Sequence, residues 1–391
     1  MQNVHGIRST LQSIDALACA RIQVDLMIIY LETREVFLEH VRRNRIEDEV
    51  GERLKLIAGR RVSPAEVRSW RNSLMYVSNI LQAPEIPASL GVAIEYQIHN
   101  TSRRIDLLLS GRSADDRHAA VIVELKQWEQ VAATDMDGLV RTVVGGGPRD
   151  LTHPSYQAWS YSCLLEDFNS AVQEQAIVIS PCAYLHNCSD GGGVLADCYG
   201  YLLERAPLFL RQDTDAMVEF LCRCLRQGDG GETIERIRDG RARPSRQLAE
   251  CFEQMVLGNS EFTLIDEQKV VYERVLALAR RLRPGKRTVV LVRGGPGTGK
   301  SVVAIHLMAA LLEKRLNVRY VSKNAAPRTV FRAKLTGQMR RSRYDNLFSG
   351  SGAFVDCPPG QYDVLVVDEA HRLNRFSGLY GNQGENQVKE I

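Results

Sequence analysis

Near the start of the chain Ile14, Ala18, Ile22, Leu26 and Ile29 follow one another three or four residues apart, and this spacing predicts helix over residues 8–58. Ser63-Pro64-Ala65-Glu66 has the chemistry of a helix start: a capping hydroxyl, a proline suited to the first turn and a glutamate that completes a capping box. The pattern then changes to short β-rich runs at Val92–Ile98, Arg104–Leu109 and Ala119–Val123, with Ser110–His118 as the clearest turn. Helix is expected again at Tyr156–Phe168, followed by an apolar run at Ala176–Ser180 that Pro181 closes. Gly191–Gly193 and Gly228–Gly231 read as loops, and Thr214–Gln227 and Pro244–Leu257 as helices. Together these elements predict an α/β protein.

Composition narrows the class. Hydrophobic residues make up 44% and charged residues 25%, with a formal net charge of +3, which is ordinary for folded domains and excludes disordered, collagen-like or coiled-coil architectures. The 391 residues are enough for two or three domains. The longest apolar stretches, such as Val24–Tyr30 with Asp25 inside it, fall short of the ~20 residues of a membrane span, and the N-terminus lacks a basic then apolar leader; no membrane partner and a cytoplasmic location are expected. The nine cysteines are scattered, and Cys163, Cys182, Cys188 and Cys198 lack tight C-x-x-C pairs, so reduced thiols are expected rather than a disulfide or cluster framework.

Two constellations carry chemistry. Arg287–Val292 is a β-branched run leading into Gly294-Gly295-Pro296-Gly297-Thr298-Gly299-Lys300-Ser301, and Val302–Leu312 reads as helix, giving G-x-x-x-x-G-K-[ST] in a strand, loop and helix context. Glycines let backbone N–H groups curl around phosphates, Lys300 reaches the outer phosphate oxygens and Ser301 can hold Mg²⁺, which points to ATP with Mg²⁺ as the cofactor. A second apolar strand, Asp363–Val367, ends in Asp368-Glu369; there Asp368 would hold Mg²⁺ through water and Glu369 would polarise an attacking water.

In the first half, Asp106 follows Arg104-Ile105, and Glu124-Leu125-Lys126 ends an apolar strand. Residues two apart on a strand share a face, so Glu124 and Lys126 project together. Hard oxygens from Asp106 and Glu124 suit Mg²⁺ or Mn²⁺, and Lys126 can stabilise the charge that develops on a phosphorus centre. Glu95 lies on an earlier strand, and Gln157 and Tyr161 share a face of the following helix. His153 can touch a phosphate or bond at the start of that helix. Arg236, Arg238, Arg241 and Arg243, and Arg340, Arg341 and Arg343, are weak candidates for contact with a nucleic-acid backbone.

The set in the first half of the chain, Glu95, Asp106, Glu124, Lys126, Gln157 and Tyr161, resembles the PD-(D/E)xK nuclease superfamily, in its RecB-like branch, over about residues 65–185. That resemblance implies Asp106 and Glu124 as metal ligands, Lys126 as catalytic lysine, Glu95 as a further acid, and Gln157 and Tyr161 as the accessory helix motif; Ile105 stands where many members have proline. From about Glu261 onward the chain resembles the Schlafen group 3-like DNA/RNA helicase domain, through Asp266-Glu267-Gln268, the Gly-rich loop, Tyr320–Asn324, Asp368–Leu373 and Ser377–Gln387. This implies an ATP-driven motor on nucleic acid, of the superfamily-one helicase type, with Gln268 reading the adenine edge.

The expected fold is therefore α/β: a restriction-endonuclease-like α/β/α nuclease core plus an incomplete RecA-like P-loop NTPase lobe, with helical N-terminal and linker segments. The expected division is a helical segment at 1–62, the nuclease-like domain at 63–210, a helical linker at 211–258 and the partial lobe at 259–391. The chain stops shortly after Asp368-Glu369, so a fragment or a truncated product is expected, with a second lobe and its arginine supplied by another polypeptide and with feeble hydrolysis and no unwinding without it. The expected function is a metal-dependent nuclease coupled to an ATP-binding motor lobe, acting on nucleic acid, DNA ahead of RNA, in bacterial DNA processing or defence. The alternative is a nucleotide-dependent switch that binds nucleic acid through a non-catalytic, nuclease-like docking domain.

Overall fold

The computed structural model describes residues 28–58, 64–99, 101, 103–242, 263–281, 288–295, 297–324, 347–354, 357 and 360–373. The chain divides into two units, Met1–Ser245 and Arg246–Ile391. Both mix helices with sheets, so the protein is α/β. Among the described residues no helix is long and apolar enough to cross a membrane.

In the first unit, β1 (Ile28–Thr33) leads into α1 (Arg34–Arg42), α2 (Ile46–Ala58) and α3 (Pro64–Leu81). Then come β2 (Gly91–Gln97), β3 (Arg104–Arg112) and β4 (His118–Lys126), and a separate group of β5 (Val131–Ala133), β6 (Leu139–Val144) and β7 (Gly147–Thr152). The unit continues through α4 (Pro154–Phe168), α5 (Ser170–Glu174), β8 (Val178–Leu185), α6 (Gly200–Arg205), β9 (Leu208–Leu210), α7 (Thr214–Cys224) and α8 (Glu232–Asp239). Its six-stranded sheet has the order β1-β2-β3-β4-β8-β9, antiparallel as far as β4 and parallel from β4 to β9. The parallel crossover from β4 to β8 carries α4, which packs on both strands.

Alternation along the central strands divides the core. Val121 and Val123 of β4, Leu107 and Leu109 of β3 and Tyr184 of β8 share one cluster with Phe37, Leu74, Ile80 and Phe220 from the helices. Glu124 and Lys126 have the opposite parity to Val121 and Val123 and so leave that cluster.

Two expectations change here. Ile28–Thr33 is a strand, not helix, because Ile28, Ile29 and Tyr30 find an antiparallel partner in β2, from Ile28 opposite Tyr96 to Thr33 opposite Gly91. The rest of the expected N-terminal helix up to residue 27, the Ser63 cap and the Pro244–Leu257 helix lie outside the described residues. Pro181 does not close a strand but sits inside β8, opposite Ile122. Ala183 donates its N–H to Pro207 on the β9 side, and position 181 points the same way but before β9 begins, so no ladder bond is lost.

The second unit contains α9 (Glu267–Ala279), α10 (Lys300–Glu313), β10 (Val318–Ser322), β11 (Phe348–Ser349) and β12 (Val364–Asp368). The three strands form a parallel sheet in the order β11-β10-β12. Ile305, Met308 and Leu311 of α10 pack with Val318 and Tyr320 of β10 and Leu276 of α9. The strand expected over Arg287–Val292 is absent from 288–292: Val289 is 92% exposed, and Val290, Leu291 and Val292 are exposed beside it. β-branched composition provides the propensity for a strand, but a strand also needs an edge to pair with, and here that pairing is not made.

Candidate functional site

Glu95 stands at φ 55 in the middle of β2, between Ile94, which pairs with Leu107, and Tyr96, which pairs with Ile105. A non-glycine residue held in the left-handed region costs on the order of 1–3 kcal/mol, and such strain collects at functional sites. The kink aims the carboxylate at two donors: Trp70 Nε1 of α3 donates to Oε1 at 3.1 Å, and Arg104 reaches Oε2 at 3.5 Å. Burial, and after it the negative charge of Asp106, raise the Glu95 pKa above the ordinary carboxylate value.

Asp106 lies where β3 and β4 part company, since the ladder ends at Leu107 opposite Val123. In place of the next backbone bond, the Leu125 N–H donates to Asp106 Oδ2 at 2.9 Å. Glu124 is 1% exposed and accepts from Lys126 Nζ at 2.6 Å. Glu95, Asp106 and Lys126 thus line one cleft of about 380 Å³, with Trp70, Ser73, Gln127, Trp128, Val143 and Val144 among its other walls.

Glu124 reaches this cleft through its ion pair with Lys126. Gln157 and Tyr161 are not among the lining residues; Gln157 Nε2 donates to the Tyr161 hydroxyl at 3.0 Å, and Tyr161 is buried in α4. Among the described residues no group of three or more His, Cys, Asp or Glu side chains is arranged to hold a metal ion. The donor chemistry still suits a hard cation. Mg²⁺ commonly takes one or two carboxylates and keeps its remaining positions for water and substrate phosphate, and a cation would relieve the repulsion between Glu95 and Asp106.

Sequence reasoning missed the cleft's other walls. Ser73 Oγ lies 3.0 Å from His186 Nε2 and accepts from Gln127 Nε2 at 3.0 Å, while His186 Nδ1 lies 3.1 Å from Asn187 Oδ1. Burial lowers the His186 pKa, favouring a neutral ring in a chain that ties α3 to the ends of β4 and β8. The one local signal was Val143-Val144-Gly145-Gly146, apolar residues before a Gly-Gly hairpin turn.

His153 is fully buried: Nδ1 accepts from the Ser155 N–H at 3.1 Å, and Nε2 donates to Val194 O at 2.8 Å. It therefore starts α4 and meets no phosphate. Burial lowers its pKa to about 4. The unfolded chain, with an ordinary histidine near 6.5, binds the proton first, so this contribution to stability is complete above about pH 6.5 and falls as pH drops towards 4, by up to ~1.4 kcal/mol per pH unit. All three tryptophans, Trp70, Trp128 and Trp159, lie in the first unit. Urea unfolding followed by tryptophan fluorescence is expected to give a lower midpoint at pH 5 than at pH 7, and His153→Asn to flatten that difference. Arg236 and Arg238, offered as backbone contacts, are engaged locally by Glu232 and by Asp239 and Glu235; Arg243, Arg340, Arg341 and Arg343 lie outside the described residues.

In the second unit, Gly297 and Gly299 take φ 72 and φ 76 before α10. The left-handed backbone at Gly299 favours glycine, and the end of the Gln268 side chain lies close against it. Gln268 Nε2 donates to Thr298 O at 3.0 Å, which places it against the loop. Lys300 Nζ folds back to the carbonyls of Gly294 and Gly295 at 3.0 and 2.6 Å. Ser301 Oγ donates to Asp368 Oδ2 at 2.8 Å, and the Tyr320 hydroxyl donates to the same oxygen. Glu369 follows at φ 55, with His371 at 3.3 Å. A basic side chain, a hydroxyl and an acid therefore converge at the N-terminus of a 14-residue helix, an arrangement able to receive phosphate and a divalent cation. Ser377–Gln387 lies outside the described residues.

Residues 287–391 match the family Schlafen group 3, DNA/RNA helicase domain. The match lies wholly within the second unit and gives that unit a nucleic-acid-related, helicase-like character. No curated protein and no solved structure matches the chain.

Proposed function

We propose that the first unit is a metal-dependent nuclease of the PD-(D/E)xK type, with a restriction-endonuclease-like core, and that the second is a RecA-like lobe that binds ATP. The observation that carries the reading is the convergence of Glu95, Asp106 and Lys126 on one cleft, with Glu124 ion-paired to that lysine. A Mg²⁺ or Mn²⁺ ion, held by Asp106 and Glu124 with Glu95 beside them, would supply Lewis acidity and a more acidic bound water. Lys126 sets a positive Nζ beside the scissile phosphate and takes up the charge that develops there. Glu124 holds that ammonium in place, while Trp70 and Arg104 fix Glu95.

In the second unit Lys300 would leave the Gly294 and Gly295 carbonyls for the outer phosphate oxygens of ATP. Ser301 and Asp368 would hold its Mg²⁺, Glu369 would orient water, and Gln268 would face the adenine. DNA is the favoured substrate and partner. A second reading, nucleic-acid docking without cleavage, draws support from the engagement of Glu124 by Lys126 and from the lack of a three-acid cage among the described residues. Single- and double-stranded DNA and RNA, incubated with the protein and Mg²⁺, Mn²⁺ or EDTA, with and without ATP, separate the two. Cleavage that needs the metal and survives without ATP is expected; binding without cleavage under every metal condition supports docking.

A further inference from the structure

The carboxylate of Asp368 is buried and is held by the protein on both of its oxygens. Oδ2 accepts from the Ser301 hydroxyl at 2.8 Å and from the Tyr320 hydroxyl at 2.5 Å, and Oδ1 accepts from the Glu369 N–H at 2.9 Å. A carboxylate has room for about four donors, so among the described residues one acceptor place remains, on Oδ1. The bond from Tyr320 is the one that strand register does not explain. Ser322 is the residue of β10 opposite Asp368, yet its hydroxyl donates to Asn324 O at 3.2 Å. Tyr320 stands two residues earlier on the same face, opposite Val366, and two residues of parallel strand rise about 6.6 Å, a gap that a phenol bridges and a short hydroxyl side chain does not. Its ring is fully buried with Ile305 and Met308 of α10 and lies 5.5 Å from the Phe348 ring, so the hydroxyl is delivered to a fixed point. Phenylalanine would fill that apolar place as well, so packing does not account for the hydroxyl.

We propose that Tyr320 is a positioning residue for the divalent cation of the nucleotide, acting through Asp368 and Ser301. The inference deepens the ATP reading of the second unit and rests on it. A hydroxyl that holds a cation does so with an oxygen lone pair and must direct its proton elsewhere. Asp368 Oδ2 is the acceptor for the Ser301 proton, and Tyr320, bonded to the same oxygen, keeps that acceptor from turning away. The remaining place on Oδ1 is then left to a water in the cation's shell. Without the phenol hydroxyl the carboxylate loses a charge-assisted bond, its orientation is no longer fixed and the Ser301 lone pair is no longer aimed. Removing an outer partner of this kind typically costs about 10- to 100-fold in metal affinity. Lys300 lies apart from this chain of bonds, on the Gly294 and Gly295 carbonyls, so the phenol bears on the cation rather than on the phosphate.

The test is calorimetric titration of the full chain with ATP at a series of free Mg²⁺ concentrations, from EDTA-buffered to saturating, in the wild type and in Tyr320→Phe. The Mg²⁺ concentration that gives half of the metal's effect on ATP affinity is expected to rise about 10- to 100-fold in the variant, while the affinity in EDTA moves far less. Phenylalanine keeps the ring that packs on Phe348, and the thermal midpoint of the same preparation checks that the fold is intact. On an Asp368→Asn background the same substitution should add no further rise, because the hydroxyl acts through that carboxylate. An unchanged Mg²⁺ requirement in Tyr320→Phe overturns the role given to Tyr320 and leaves the ATP reading standing. So does a lower thermal midpoint with weaker binding in EDTA and the same Mg²⁺ requirement, or an equal rise with and without Asp368→Asn. A wild-type chain that binds no ATP at any Mg²⁺ concentration overturns the ATP reading itself, and the proposal with it.

Discussion

Lys126→Gln is expected to reduce nucleic-acid cleavage at least about a hundredfold, the scale on which a single donor to a developing oxyanion is felt. Glutamine is preferred to alanine for a structural reason. Glu124 is 1% exposed and accepts from Lys126 Nζ at 2.6 Å, so removing the whole side chain takes a charged partner from a buried carboxylate, which destabilises folded proteins by about 3–5 kcal/mol. An amide still donates to Glu124 but carries no charge to the phosphate. The variant should therefore keep its thermal midpoint within a few degrees of wild type while losing turnover, with both measured on one preparation. Unchanged cleavage would favour the docking reading.

Lys300→Ala is expected to weaken Mg²⁺–ATP binding by about 10- to 150-fold, corresponding to the ~1.5–3 kcal/mol of a hydrogen bond to a charged group. Lys300 bonds to the Gly294 and Gly295 carbonyls at the head of α10 and takes no part in the buried cluster of Ile305, Met308 and Leu311. Its loss should leave the second unit folded. Calorimetric titration of the two proteins with ATP and Mg²⁺ decides the matter, and equal affinities would reject the phosphate assignment.

Legibility differed between the two sites because their information is stored differently. The Gly-rich loop is contiguous, and Gly294 through Ser301 could be read because one turn and one helix start need those residue types in that order. Asp106, Glu124 and Lys126 were legible as ends of apolar strands, where a charged pair is costly unless used. Trp70 and Ser73 were not, since α3 reaches the cleft only through tertiary packing, and nothing local marks those positions. The left-handed kink at Glu95 was equally hidden: its cost is met by bonds to Trp70 and Arg104 rather than by a glycine in the sequence. β7, Gly147-Pro-Arg-Asp-Leu-Thr152, carries too few apolar residues to announce a strand and depends on its hairpin with β6. Ile28–Thr33 and Thr288–Val292 fail in opposite directions, the first gaining a partner strand and the second, with the stronger β composition, remaining without one.

On the nuclease reading proposed above, Asp106 and Glu124 hold a divalent cation beside Lys126. Titration of the nucleotide-free protein with Mn²⁺, following the free ion by electron paramagnetic resonance, addresses it without relying on turnover. Saturable binding is expected in the wild type and in Lys300→Ala, and its loss in Asp106→Asn and Glu124→Gln; Mn²⁺ binding that is the same in all four proteins would contradict the account.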